Sequence, residues 1–103
     1  MKLLIGVDGS PASFDAVRMA ARLIDPAHDQ AAIYFSPAEL HAGVVNKGDH
    51  VVTGVTDALF DEARGLLPIA DDAIVAISSP KSAAVGILEA AAEVNADLVV
   101  VGA

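Results

Sequence analysis

Apolar positions along this chain fall into two alternating rhythms. Leu3-Leu4-Ile5-Gly6-Val7 is a short continuous apolar run closed by Asp8-Gly9-Ser10-Pro11, which predicts a strand buried on both faces that enters a tight turn. The rhythm then changes. Phe14, Val17, Ala21 and Ile24 recur at helical spacing behind Ser10 as cap and Pro11 in the first turn, predicting a helix that stops before Asp25-Pro26. Ala31 to Phe35 is a second apolar run ended by Ser36-Pro37, and the stretch from there to His50 reads as a loop with a turn of helix near Glu39. Val52, Val55, Leu59, Ala63 and Leu66 restore the helical period between Val51 and Leu67, and Pro68 ends it. Ala73 to Ile77 predicts a third strand, followed by a Ser79-Pro80 start and an Ala-rich helix to Val94 that carries Val85, Leu88 and Ala92 on one stripe. Gly86 inside that helix costs about 1 kcal/mol relative to Ala, which a close helix–sheet contact would explain and chance would too. Asn95 is suited to a left-handed stop, and Asp97 to Gly102 reads as a fourth buried strand.

The order βαβαβαβ predicts parallel strands joined by right-handed crossovers, an open α/β sheet of the doubly wound class with helices on both faces. Composition agrees with this. Of 103 residues, 54% are apolar but only 4% aromatic, so the core is built from Ala, Val, Ile and Leu, as in buried parallel strands under small-residue helices. The length suits one domain spanning residues 1–103.

Charge narrows the choice of partners. Fourteen carboxylates against six scattered Lys and Arg give a net charge of −8, which argues against nucleic acid and against an anionic membrane surface. With no Cys, thiol chemistry and disulfides are excluded. The run Leu3–Val7 is too short for a signal peptide or for the roughly 20 residues that span a bilayer, so a soluble, cytoplasmic protein is expected.

Candidate chemistry is sparse. His28, His41 and His50 do not fall at a metal-ligand spacing, and Ser79 and Ser82 have no evident His and Asp to activate them. An enzyme is therefore not expected. A phosphoacceptor receiver domain, which shares the fold class, needs an acidic pair after the first strand and an Asp after the third; here stand Asp8 alone and Ser78-Ser79.

Three phrases together carry a resemblance: Ile5-Gly6-Val7-Asp8-Gly9-Ser10 at the start, Ala16 to Ala20 within the first helix, and Ile87-Leu88-Glu89-Ala90-Ala91-Ala92-Glu93 followed by Ala96-Asp97-Leu98-Val99-Val100-Val101-Gly102. In this order they resemble the universal stress protein family. The resemblance implies a sheet in the order 3-2-1-4-5 and, in many members, ATP, with magnesium, bound beyond the carboxyl ends of the strands. Carried onto this chain, it implies that Gly6, Val7 and Asp8 line the adenosine side, with Asp8 accepting from a ribose hydroxyl. Phe35 matches a position that touches adenine, and Val101 and Gly102 match the end of the fourth strand.

The resemblance also has a boundary. Nucleotide-binding members continue from a glycine matching Gly102 with two residues, Gly, nine residues, then Gly and Ser or Thr, whose amides and hydroxyl hold the phosphates. The chain ends at Ala103, so a domain lacking its fifth strand and phosphate loop is expected, with ATP binding impaired. The third strand also has Ser78-Ser79-Pro80 where the family has Gly-Asp before its Pro. Two functions are implied: a stress-response protein that binds an adenine nucleotide, or a nucleotide-independent module that forms homo-oligomers through the uncharged edge Leu98 to Val101.

Overall fold

The computed structural model of the chain describes residues 1–35, 49–78 and 83–102. Its elements are β1 (Lys2–Val7), α1 (Pro11–Leu23), β2 (Gln30–Phe35), α2 (Asp49–Leu66), a 3-10 turn (Asp71–Ala73), β3 (Ile74–Ser78), α3 (Ala83–Val94) and β4 (Leu98–Val101). The four strands are parallel and lie in the order β3-β2-β1-β4, as the resemblance implies. The expected helix turn near Glu39 and the Ser79-Pro80 helix start fall outside the described residues.

Local rules set the first crossover. Ser10 holds an extended backbone (φ −76°, ψ 157°), and its Oγ accepts from the Ser13 amide at 3.2 Å while Pro11 occupies the first helical turn. Gly9, at φ 85°, makes the turn that Asp8-Gly9-Ser10 announces. α1 stops at Leu23 with Ile24 as its cap, one residue before Asp25-Pro26.

Strand alternation then sorts side chains onto two faces. Leu3, Ile5, Val7, Ala31, Ile33, Phe35 and Ile74 meet Phe14, Val17, Ala20 and Ile24 of the first crossover, and Leu59, Phe60, Ala63 and Leu67 of the second, in the main core. Phe35 and Phe60 pack edge to face, centroids 6.0 Å apart at 74°. Burying each such large side chain contributes about 1.5–3 kcal/mol. On the opposite face Leu4, Ala32 and Tyr34 pack with Ala90, and Ile87, Ala91 and Val94 of α3 border them. α1 and α2 thus cover one face, and α3 covers the other.

The stripe read from the sequence for α3 is corrected here. Val85, Leu88 and Ala92 face away from the sheet, Leu88 being 73% exposed, while Gly86, Ile87, Ala90, Ala91 and Val94 face it. The reason is Tyr34. A Cβ on Gly86 would overlap its hydroxyl and stand 2.5 Å from its Cζ, so the helix turns its glycine onto the ring and comes close where a longer side chain could not. The close helix–sheet contact expected of Gly86 is present. α3 ends as Asn95 foresees, at φ 55°, with the Ala96 amide donating to the Ala91 carbonyl at 2.9 Å and the Asn95 amide to Ala92 at 3.4 Å.

At the amino edge of the sheet, the strands are fastened by carboxylates. The Lys2 amide donates to Asp97 Oδ2 and the Asp97 amide to the Lys2 carbonyl, both at 2.8 Å, which joins the starts of β1 and β4. Asp29 accepts from the Met1 ammonium at 2.7 Å and from the Asp25 amide at 2.8 Å. These bonds, the Asp25 amide first and the ammonium second, hold the Asp29 carboxyl below its ordinary pKa. The hydrogen bond to Asp29 raises that of the ammonium.

Candidate functional site

The chain steps from β1 outward to β2 and β3, then crosses back to place β4 on the other side of β1. That reversal makes the carboxyl ends of β1 and β4 the topological switch point, where open α/β sheets bind ligands. Sequence-singled residues gather there. Gly6 lies opposite Tyr34 on one side and Val101 on the other, and Val7 lies opposite Phe35. Asp8 follows β1 directly, and Gly102 follows β4.

Their side chains do different work. Val7 and Phe35 point into the main core, Phe35 fully buried against Phe60, so the Phe35 ring is not presented at the strand end. Gly6 faces α3: a Cβ there would come within 3.1 Å of Val101 Cγ1 and 3.2 Å of Ile87 Cδ1. These two side chains close the sheet over Gly6. Ile87 is a neighbour that strand and helix patterns do not disclose, because its contact requires knowing which face α3 presents.

Asp8 acts within the turn. Its Oδ1 accepts from the Ser10 amide at 2.8 Å, so the carboxylate sits across the start of α1 and fixes the residue that caps it. Gly102 is held from the other side. A Cβ on it would stand 2.6 Å from the Ala12 carbonyl oxygen and 2.9 Å from the Ser13 nitrogen, so only glycine lets the end of β4 approach the first turn of α1. Two glycines and one carboxylate therefore shape the junction of β1, β4 and α1.

Among the described residues no group of three or more His, Cys, Asp or Glu is placed to hold a metal ion. Nor among them is any helix long and apolar enough to cross a membrane.

Fold and junction together define a doubly wound α/β protein with its candidate site at the β1–β4 switch point. The profile of the universal stress protein family matches residues 1–103, and the chain belongs to that family. Solved structures share the fold. Protein Rv1636 from Mycobacterium tuberculosis aligns with a TM-score of 0.67 at 20% identity, over 98% of this chain and 69% of that one. A universal stress protein crystallised in complex with cAMP aligns at 0.68 and 18%, over 98% and 75%. A member of the family from Burkholderia pseudomallei aligns at 0.58 and 19%, over 99% and 80%. No curated protein sequence matches the chain.

Proposed function

We propose that this protein is a stress-response protein of the cytoplasm that binds an adenine nucleotide at the carboxyl ends of β1 and β4, and whose output is association and not turnover. The observation that carries the reading is the junction itself, where Asp8, Gly102 and the paired ends of Gly6 and Val101 meet at the switch point. The relative crystallised with cAMP supports it. In this reading Gly6, Val7 and Asp8 border the adenosine, Asp8 accepting from a ribose hydroxyl, Phe35 offers its main chain to the base, and Val101 and Gly102 close the β4 side.

Of the glycine pattern that holds phosphates in nucleotide-binding members, residues 1–103 carry only Gly102. We infer that this stretch by itself holds ATP, with or without magnesium, only weakly. Calorimetry of the 103-residue chain with ATP tests the inference: millimolar affinity or poorer is expected, and micromolar affinity would overturn it. Equilibrium dialysis with adenosine tests the site as a whole.

A second reading, a nucleotide-independent homo-oligomer, is favoured by the apolar edge at β4. Leu98, Val99 and Val101 are all exposed there, and uncovered edges of this kind are seldom left open. Sedimentation equilibrium at low micromolar concentration distinguishes the two. This second reading requires an oligomer that Val99→Lys dissociates, and a stable monomer would end it.

A further inference from the structure

At the amino edge of the sheet, the end opposite the switch point, an apolar strand residue is left uncovered. Strand alternation puts Lys2, Ala32 and Val75 on the face that α3 covers, but α3 packs over β1 and β2, and Val75 on β3 stays 54% exposed. Beside it lies a hollow of about 80 Å³ whose lining includes Lys2, Gln30, Ala32, Asp72, Val75 and Val94. We propose that this hollow binds a free α-amino acid with a short branched aliphatic side chain, Lys2 holding its carboxylate and Asp72 its ammonium.

Size sets the side chain. A volume of about 80 Å³ is the share of roughly two to three water molecules and well short of the roughly 150 Å³ that admits benzene, so it suits an isopropyl group and excludes a ring system. Ala32, almost fully buried, forms the floor, and Val75 and Val94 supply apolar walls. Covering the exposed surface of Val75 is the apolar driving force.

Charge sets the head group. Among the described residues no ion pair or side-chain hydrogen bond engages Lys2 or Asp72. Two other carboxylates beside the strand starts are taken, Asp97 by the Lys2 amide and Asp29 by the Met1 ammonium and the Asp25 amide. Lys2 opens β1 and Asp72 precedes β3, two strand spacings or roughly 10 Å away across β2. That span admits a compact head group with a charge-assisted hydrogen bond of roughly 2.8 Å at each end. Val94 also brings the carboxyl end of α3 to the hollow, and its last turn carries no basic side chain, so the helix dipole favours the ammonium there. A net charge of −8 repels a simple carboxylate, whereas a zwitterion has no net charge to be repelled.

The experiment is an NMR titration of the isotope-labelled 103-residue chain with L-valine and with its two singly charged analogues, isovalerate and isobutylamine. Valine is expected to shift the amides of Ala32, Val75 and Val94 and to bind at least about tenfold more tightly than either analogue. Lys2→Met is expected to reduce valine to the level of isobutylamine and Asp72→Asn to that of isovalerate, while Lys2→Arg retains binding. The bond from Lys2 to Asp97 uses the main-chain amide and survives these changes, and melting curves confirm folding. Shifts confined to another part of the chain, valine no tighter than its analogues, or valine binding unchanged in Lys2→Met or Asp72→Asn overturns the proposal. So does the absence of any shift at roughly 10 mM valine. The adenine reading stands or falls separately, because its site is at the other end of the sheet.

Discussion

Replacing Gly86 by Ala sets two known effects against each other. In an exposed helix the change stabilises by about 1 kcal/mol, because glycine is the poorer helix former. At Gly86 the new methyl would overlap the Tyr34 hydroxyl and stand 2.5 Å from its Cζ, and Tyr34 is only 2% exposed. Overpacking of this kind costs about 1–3 kcal/mol, and an overlap reaching into the ring belongs in the upper half of that range. The net expectation is a loss of about 1–2 kcal/mol after the helix gain is subtracted. Urea denaturation followed by circular dichroism reads it as a lower midpoint at unchanged slope. A second background isolates the cause: with Tyr34→Leu already in place the ring is gone, and Gly86→Ala becomes neutral or stabilising, a coupling of about 2 kcal/mol across the pair. If Gly86→Ala stabilises the chain with Tyr34 intact, or costs the same in both backgrounds, the ring-on-glycine explanation of how α3 is seated is wrong.

Other glycines and the amino edge make further tests. Gly102→Ala must push against main-chain atoms of Ala12 and Ser13, so it is expected to lower the melting temperature, whereas Gly65→Ala in α2, with nothing within 4 Å of the new carbon, raises it; the reverse order would refute the close approach of β4 to α1. Tyr34→Phe removes a buried hydroxyl with no hydrogen-bond partner among the described residues and should stabilise by about 1 kcal/mol; a clear loss in denaturation would show that the hydroxyl is satisfied. Asp29 has a lowered pKa, so its contribution is present above the ordinary carboxylate value of 3.8 and disappears as pH falls through its lower folded value. The ammonium of Met1 has a raised pKa, so its part is present below 8.0 and is lost as pH rises through the higher folded value. Unfolding midpoints across pH should therefore flatten at both ends in Asp29→Asn, and identical profiles would remove the ion pair from the account.

Element order was legible because the two periods alternate without ambiguity and because Pro11, Pro26, Pro68 and Asn95 mark helix ends. The packing face of α3 was not. Its residues are apolar nearly all round, so the period does not choose a side, and the deciding contact is with Tyr34, far away in sequence. Gly86 was the available signal, since a costly glycine in a helix asks for a close neighbour. At the junction, Asp8 and Gly9 could be read as a turn from residue type alone, and the turn is present. That Gly102 abuts α1, and that Ile87 and Val101 meet over Gly6, depends on tertiary approach that no local pattern encodes. Phe35 shows the converse: strand alternation places it with Ile33 and Ala31, which already sends its ring inward.

The clasp between Lys2 and Asp97 also has a meaning for chain closure. It closes a loop of 95 residues, whereas the bond between Met1 and Asp29, beside the β1–β2 pairing, closes one of 28. The longer closure costs about 1 kcal/mol more in chain entropy. The two neighbours of β1 are therefore unequal in kind: β2 is reached through the shorter loop, whereas β4 is reached only by a closure that spans nearly the whole chain, so contacts at the corner where β4 meets the first turn of α1 carry most of the sequence separation in the fold.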